Sequence, residues 1–197
     1  MLSNFFFSPE LLATLSAPLF LTLKVSLVSA LGFCFLGVPL AYWCARRESV
    51  LSKAVLFLAT LPLIFPPIAL GYLLMLLLGQ QGFFGSWAMR VFDMRLLFSE
   101  GSVFLAGTIA GMPLVVRPIK EVLSSARLLA LEEAASVLGV EGVKRFRLIT
   151  LPLIKNTLLA SIMMGVARAG GEVGVTLMLG GNIENRTATL LLEIYNA

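Results

Sequence analysis

Leu128 to Ile154 reads LLALEEAASVLGVEGVKRFRLITLPLI, a charged block between long apolar runs, and its reading decides the fold. Ala126 to Leu138 predicts a helix, with Leu128, Leu131, Ala135 and Leu138 at three- and four-residue spacings. Gly139 is placed to end it. A second short piece, Val143 to Ile149, sets Lys144, Arg145 and Arg147 beside Phe146, and Pro152 then opens the next apolar run. The expectation is a short helix lying across one face of a helical bundle, held between two spanning helices. Its Ala134-Ala135 pair permits close backbone approach, and Glu132 and Glu133 offer charge to a partner.

Outward from this block the chain is apolar. It is 58% hydrophobic and only 13% charged, with mean hydropathy +0.95. A soluble domain is about 25% charged. A water-soluble fold of this size could not hide so much apolar surface, so an all-α integral membrane protein is expected, with a single membrane domain over residues 1–197. Four apolar segments are read as spans: about 14–45, 54–79, 102–123 and 153–179, the last ended by Gly180-Gly181. Residues 126–152 form the polar loop between the third and fourth. The outer loop has Gly79, Gly82 and Gly85 as breakers and Phe83, Phe84 and Trp87 as interfacial anchors. The first 23 residues hold no Lys or Arg, which argues against a cleaved signal peptide. Met1 to Ala17, with Phe5, Phe6, Phe7 and Pro9, reads as an interfacial lead-in.

Loop charge sets the orientation. Arg46, Arg47, Lys53, Arg117, Lys120, Arg127, Lys144, Arg145, Arg147 and Lys155, ten of the fifteen basic residues, fall on one side of the predicted topology. Arg90, Arg95 and Arg186 fall on the other. The 126–152 loop is therefore expected in the cytoplasm and the N-terminus outside, in the inner membrane of a prokaryote. The net charge of +4 follows from this topology and does not point to nucleic acid. There is no His, and Cys34 and Cys44 form no CxxC pair, so neither a metal site nor a disulfide framework is expected.

Glu133-Ala134-Ala135, then Gly139, Ile149 and Leu151-Pro152, resembles the EAA loop of ABC importer permeases at every defining position. The resemblance implies the type I ABC importer transmembrane fold. It also implies that this loop carries a coupling helix docking on a cytoplasmic ATPase, with Glu132, Glu133, Ala134, Ala135 and Gly139 as the ATPase-facing residues. LPLIFPPIALGYLLMLLLG, TLKVSLVSA, MPLVVRPIKEVL and ARAGGEVGVTLMLGGNI look like the molybdate/tungstate permease subfamily, and so do Thr187 and Thr189. Sulfate permeases share the layout and part of the Gly-Glu and Gly-Asn-Ile segments. A fifth membrane helix is expected by resemblance after Ile194-Tyr195, and the sequence ends at Ala197 before it.

Several residues in or near the spans are candidates for the pathway or its gate: Lys24, Pro66, Pro67, Arg168, Glu172, Asn182 and Thr187. An ionisable residue in a span is expensive and is a functional candidate by default. Lys24, roughly 13 Å into the first span at ~1.5 Å per residue, either attracts an anion or snorkels and pairs with an acid. Arg168 and Glu172, four apart, share a helix face, as a packing ion pair or as a gating contact. Pro66 and Pro67, with Pro62, each free a backbone carbonyl, tolerated at a packing kink or along a water-filled path.

The chain has no G-x-x-x-x-G-K-[ST] stretch and no His for a catalytic triad, so it is not read as an enzyme. The resemblance implies a homodimeric permease with two ABC ATPase subunits that bind ATP and magnesium. It further implies a periplasmic or lipid-anchored oxyanion-binding protein, with no cofactor in this chain. Sulfate or thiosulfate is the alternative cargo. A transporter needing no ATPase is the competing class; it predicts full transport when Glu133 and Gly139 are altered and the ATPase is absent.

Overall fold

The computed structural model describes residues 9–47, 49–183 and 186–196, and every regular element among them is helical. The Phe5 to Phe7 lead-in lies outside the described residues. Among the described residues three helices are long and apolar enough to cross a membrane: Ser16–Arg46, Glu100–Leu123 and Gly142–Gly170. A fourth crossing is present if the bent pair Pro67–Leu78 and Phe83–Val91, 43° apart, counts as one.

The first long helix is α1 (Pro9–Gly32), a π-helical turn Phe33–Gly37, and α2 (Val38–Arg46). A second π turn, Phe146–Thr150, joins α8 (Gly142–Arg145) to α9 (Leu151–Gly170). Each π turn ends two residues before a proline, Pro39 or Pro152. Proline loses its own helical N–H bond and drives its ring against the carbonyl four residues back. The wider turn relieves that clash, with Val38 N–H reaching the Phe33 carbonyl and Leu151 N–H the Phe146 carbonyl. The fourth apolar run therefore starts its helix at Gly142, and Pro152 lies within it.

The second apolar run is divided. Ser49 caps α3 (Val50–Ile64) by accepting from Ser52 N–H, and the chain is extended at Phe65 before α4 (Pro67–Leu78). At 15 and 12 residues, neither half reaches the roughly 20 needed to span. A bend at Gly79–Gly82 then leads into α5 (Phe83–Phe92), which contains Gly85, so that glycine breaks no helix; Phe83, Phe84 and Trp87 are exposed.

Helix α6 (Glu100–Leu123), started by a Ser99/Ser102 capping box, is the axis of the bundle. Its apolar window is 56% buried, against 22% for each of the other two spans. Lipid tails are as apolar as leucine, so helices associate in a bilayer by close packing and interhelical hydrogen bonds. A Cβ on Gly111 would stand 2.5 Å from the Gly165 carbonyl oxygen, and one on Gly165 would stand 2.6 Å from Val115 Cγ2. Phe33 closes this seam, fully buried with Val115, Val116 and Ile119. Ser29 and Thr108 add a 3.2 Å hydroxyl bond between α1 and α6.

After α6 come α7 (Ala126–Val137), then α8 and α9. The fourth run breaks again at Gly171 before α10 (Gly174–Gly180), which Gly181 ends in a left-handed conformation (φ 74°). Helix α11 (Leu190–Asn196) closes the described chain.

Candidate functional site

The first candidate region is the end of the bundle that carries α7. Ser125 accepts from Leu128 N–H and fixes the start of α7. Leu128, Glu132 and Ala135 face inward and are buried, whereas Leu131 and Leu138 are exposed. The expected apolar stripe is thus divided between two faces. The outer face presents Glu133, Ala134, Val137, Leu138 and Gly139, and Gly139 takes φ 75° with nothing near its missing side chain.

Glu132 corrects the reading that both acids face a partner. It is 5% exposed. Its Oε1 accepts from Arg46 Nη2 at 2.6 Å and from Thr150 Oγ1 at 2.5 Å. A buried carboxylate needs such partners, and helical periodicity turns position 132 toward the bundle while 133 turns away. The Arg46 guanidinium also lies over the Tyr42 ring, 5.3 Å from its centroid. Tyr42 in turn meets Phe146 edge-on at 6.1 Å. An apolar cavity of about 540 Å³ adjoins this cluster, lined by Tyr42, Leu123, Glu132, Phe146, Thr150 and Ile154 among others.

The second region is the pair of helix breaks. Gly174, at the start of α10, lies against Pro67, at the start of α4: a Cβ at 174 would come 2.7 Å from Pro67 Cβ. At the same break Glu172 is 1% exposed, pairs with Arg168 and accepts from Val175 N–H at 2.9 Å. The structure therefore joins Pro66-Pro67 to the Arg168–Glu172 break through Gly174.

The other candidates are placed elsewhere. Lys24 pairs with Glu100 at 3.2 Å, both side chains partly exposed, and lies over the Phe20 ring. The pairing reading of Lys24 is the one realised. Thr187 is fully buried, and its hydroxyl donates to the Gly180 carbonyl and accepts from Ile183 N–H, each at 2.8 Å. That hydroxyl staples the 180–187 turn, and with its single proton committed to the Gly180 carbonyl it has no donor left for an oxyanion, which tells against its reading as a pathway group. Asn182, at φ 50°, donates through Nδ2 to Asn196 Oδ1 at 2.9 Å. Among the described residues no three His, Cys, Asp or Glu side chains group as metal ligands.

Sequence reasoning missed Arg46, Thr150 and Glu100 as partners. Arg46 is 86 residues from Glu132, and Glu100 is 76 from Lys24, so no local spacing could reveal either pair. The one available signal was Glu132 itself, an acid between the inward positions Leu128 and Ala135.

With this geometry in place, comparison supplies the class. Residues 37–196 match the family of binding-protein-dependent transport system inner membrane components, and the chain belongs to that family. Among its relatives is the molybdenum transport system permease protein ModB of Haemophilus influenzae. It is 34% identical over 176 residues, 89% of this chain and 76% of that protein. ModB of Escherichia coli K12 is equally similar, at 34% over the same shares. The sulfate transport system permease protein CysW of Synechococcus elongatus is 32% identical over 90% of this chain and 61% of that protein.

Proposed function

We propose that this chain is the translocation subunit of an ATP-driven importer for molybdate or tungstate, working as a homodimer. Two cytoplasmic ATPase subunits bind beneath it, and a periplasmic or lipid-anchored binding protein delivers the oxyanion. The observation that carries the coupling half of this reading is the division of α7. Its inner face is tied to the bundle through Glu132, while Glu133, Ala134 and Gly139 stand free on the outer face. The α7 end lies in the cytoplasm and the N-terminus outside, a reading supported by the excess of basic residues in the loops at the α7 end. ATP binding closes the ATPase pair, α7 moves with it, and the pore opens outward. Hydrolysis resets it.

The cargo half is supported by the two molybdenum permeases at 34% identity. The interlocked breaks are the place in the fold for a pathway. Helix α4 begins there with its positive dipole end. Such an end favours a dianion without gripping it, and tight selection then belongs to the binding protein. Sulfate is the second reading, favoured by the 32% identity to the cyanobacterial sulfate permease.

Purification of the native complex with identification of its soluble subunits tests the proposal. Vesicle uptake of molybdate with tungstate and sulfate as competitors tests the cargo. Absence of an ATPase subunit sinks the importer reading. Uptake that sulfate displaces better than tungstate replaces the cargo.

A further inference from the structure

We infer that Glu132 is the pin joining the coupling helix to the membrane helices, so that movement of α7 is delivered to α2 and α9 together. The inference rests on the importer reading above and deepens it: it names how the force enters the bundle.

The observations are geometric. One carboxylate oxygen, Oε1 of Glu132, takes bonds from two directions: Arg46 Nη2 at 2.6 Å, on the last turn of α2, and Thr150 Oγ1 at 2.5 Å, at the head of α9. The carboxylate side chain is 7% exposed and Thr150 is 2% exposed, so both bonds are shielded from water. Both have the charged carboxylate as acceptor, and bonds of this charge-assisted kind are the strong ones. Each receiving helix also carries a π turn. The π turn Phe33–Gly37 precedes α2, and the π turn Phe146–Thr150 includes Thr150 itself. Tyr42 and Phe146 stack edge-on beside the pin, and the 540 Å³ cavity next to it gives those side chains room to shift.

A helix lying on the bundle by apolar contact alone would slide or peel when pulled. Leu128, packed in the core with Leu123 and Ile154, and Ala135 are its other inward side chains, and such apolar contacts are not directional. Two directional hydrogen bonds on one carboxylate oxygen convert displacement of α7 into displacement of both spans. Glu132 is thus a positioning residue: it touches neither nucleotide nor cargo.

The test uses the complete complex of permease, ATPase and binding protein in proteoliposomes, with molybdate uptake and ATP hydrolysis measured on one sample. Glu132→Gln keeps the shape and removes the charge. With ATPase retained on the permease, hydrolysis is expected to stay within about two-fold of wild type, and anions imported per ATP are expected to fall at least ten-fold. Thr150→Val, a milder change, is expected to lower the same ratio about three-fold. Arg46→Gln combined with Glu132→Gln, a neutral pair, is expected to recover part of the loss. A merely structural role would lower both rates in step and leave the ratio unmoved. An unchanged ratio in either assembled single variant overturns the inference. Failure of both single variants to assemble also overturns it, in favour of a folding role. If the wild-type complex hydrolyses ATP and imports sulfate in place of molybdate, the cargo reading fails and the ratio is read with sulfate.

Discussion

Gly174 has no room for a side chain because the Pro67 ring fills the space: a Cβ there would lie 2.7 Å from Pro67 Cβ and 3.2 Å from Ile68 N. The contact joins two helix breaks that are over 100 residues apart in sequence. One turn further along, Gly71 receives Met178 in the same way, with 2.8 Å from a built Cβ to Met178 Cβ. Helices α4 and α10 are thus locked by reciprocal small-residue contacts, each glycine facing a larger residue of the other helix. Two half-length helices that cannot span alone are held as one unit.

Replacement of Gly174 by Ala should therefore destabilise the protein by about 1–3 kcal/mol, the usual cost of overpacking. The ring of Pro67 cannot swing aside as a flexible side-chain end could. Thermal unfolding of the purified complex checks this. Gly101→Ala is the control, since a built Cβ there meets only Ser99 Oγ at 3.5 Å. Equal melting temperatures for the two variants would refute the interlock.

The Arg168–Glu172 pair gives an ordered series. Glu172 is 1% exposed, and the Arg168 side chain is 31% exposed. Arg168→Met leaves a buried carboxylate with no counter-charge, a loss of about 3 kcal/mol by analogy with broken buried pairs. Glu172→Gln leaves an arginine that reaches water, and the amide oxygen still accepts from Val175 N–H, so about 1 kcal/mol is expected. The double variant should resemble Glu172→Gln and exceed Arg168→Met in stability. Melting of the three variants decides it; a double variant weaker than both singles would contradict the pair.

The apolar runs, the charged loop and the α7 helix were legible because they depend on composition and on periodicity over short distances. Gly139 as a terminator and Gly180-Gly181 as a stop were legible for the same reason. Pro152 was misleading: it signals a helix start, yet the π turn before it lets the helix run on from Gly142. The burial of Glu132 was legible only from its place between Leu128 and Ala135, and its partner Arg46 not at all, because an acid beside Glu133 looks like surface charge until Arg46 is folded onto it. Thr187 was misread because a hydroxyl near a predicted span says nothing about whether its own turn has already used it.

Gly139 and Glu133 separate docking from folding. Gly139 sits at φ 75° with open space around it, so Gly139→Ala meets no clash and carries only the left-handed backbone cost, roughly 1 kcal/mol. Glu133 is exposed, so Glu133→Ala should leave the melting temperature of the isolated permease unchanged. Both variants are expected to bind the ATPase at least five-fold more weakly in pull-down titrations. Wild-type binding by both would remove Glu133 and Gly139 from the ATPase contact, and full transport by both with the ATPase absent would favour a transporter that needs none.

Lys24 and Glu100 test the field at the other end of the bundle. They form a partly exposed pair at 3.2 Å, 40% and 45% accessible, so the contact itself is worth about 0–1 kcal/mol and its loss should scarcely change stability. Its electrostatic effect on an entering dianion is a separate matter. The intact pair is neutral, whereas Lys24→Gln leaves the Glu100 charge uncompensated. At ~10 Å in water that charge opposes a dianion by roughly 0.8 kcal/mol, a factor of about four. Uptake by Lys24→Gln should fall by that factor at low salt and recover as screening shortens to ~3 Å near 1 M. Glu100→Gln should show the opposite sign, and the double variant should match wild type. Initial uptake rates across a salt series read all three. A loss in Lys24→Gln that persists at high salt and in the double variant would mean that Lys24 contacts the anion directly.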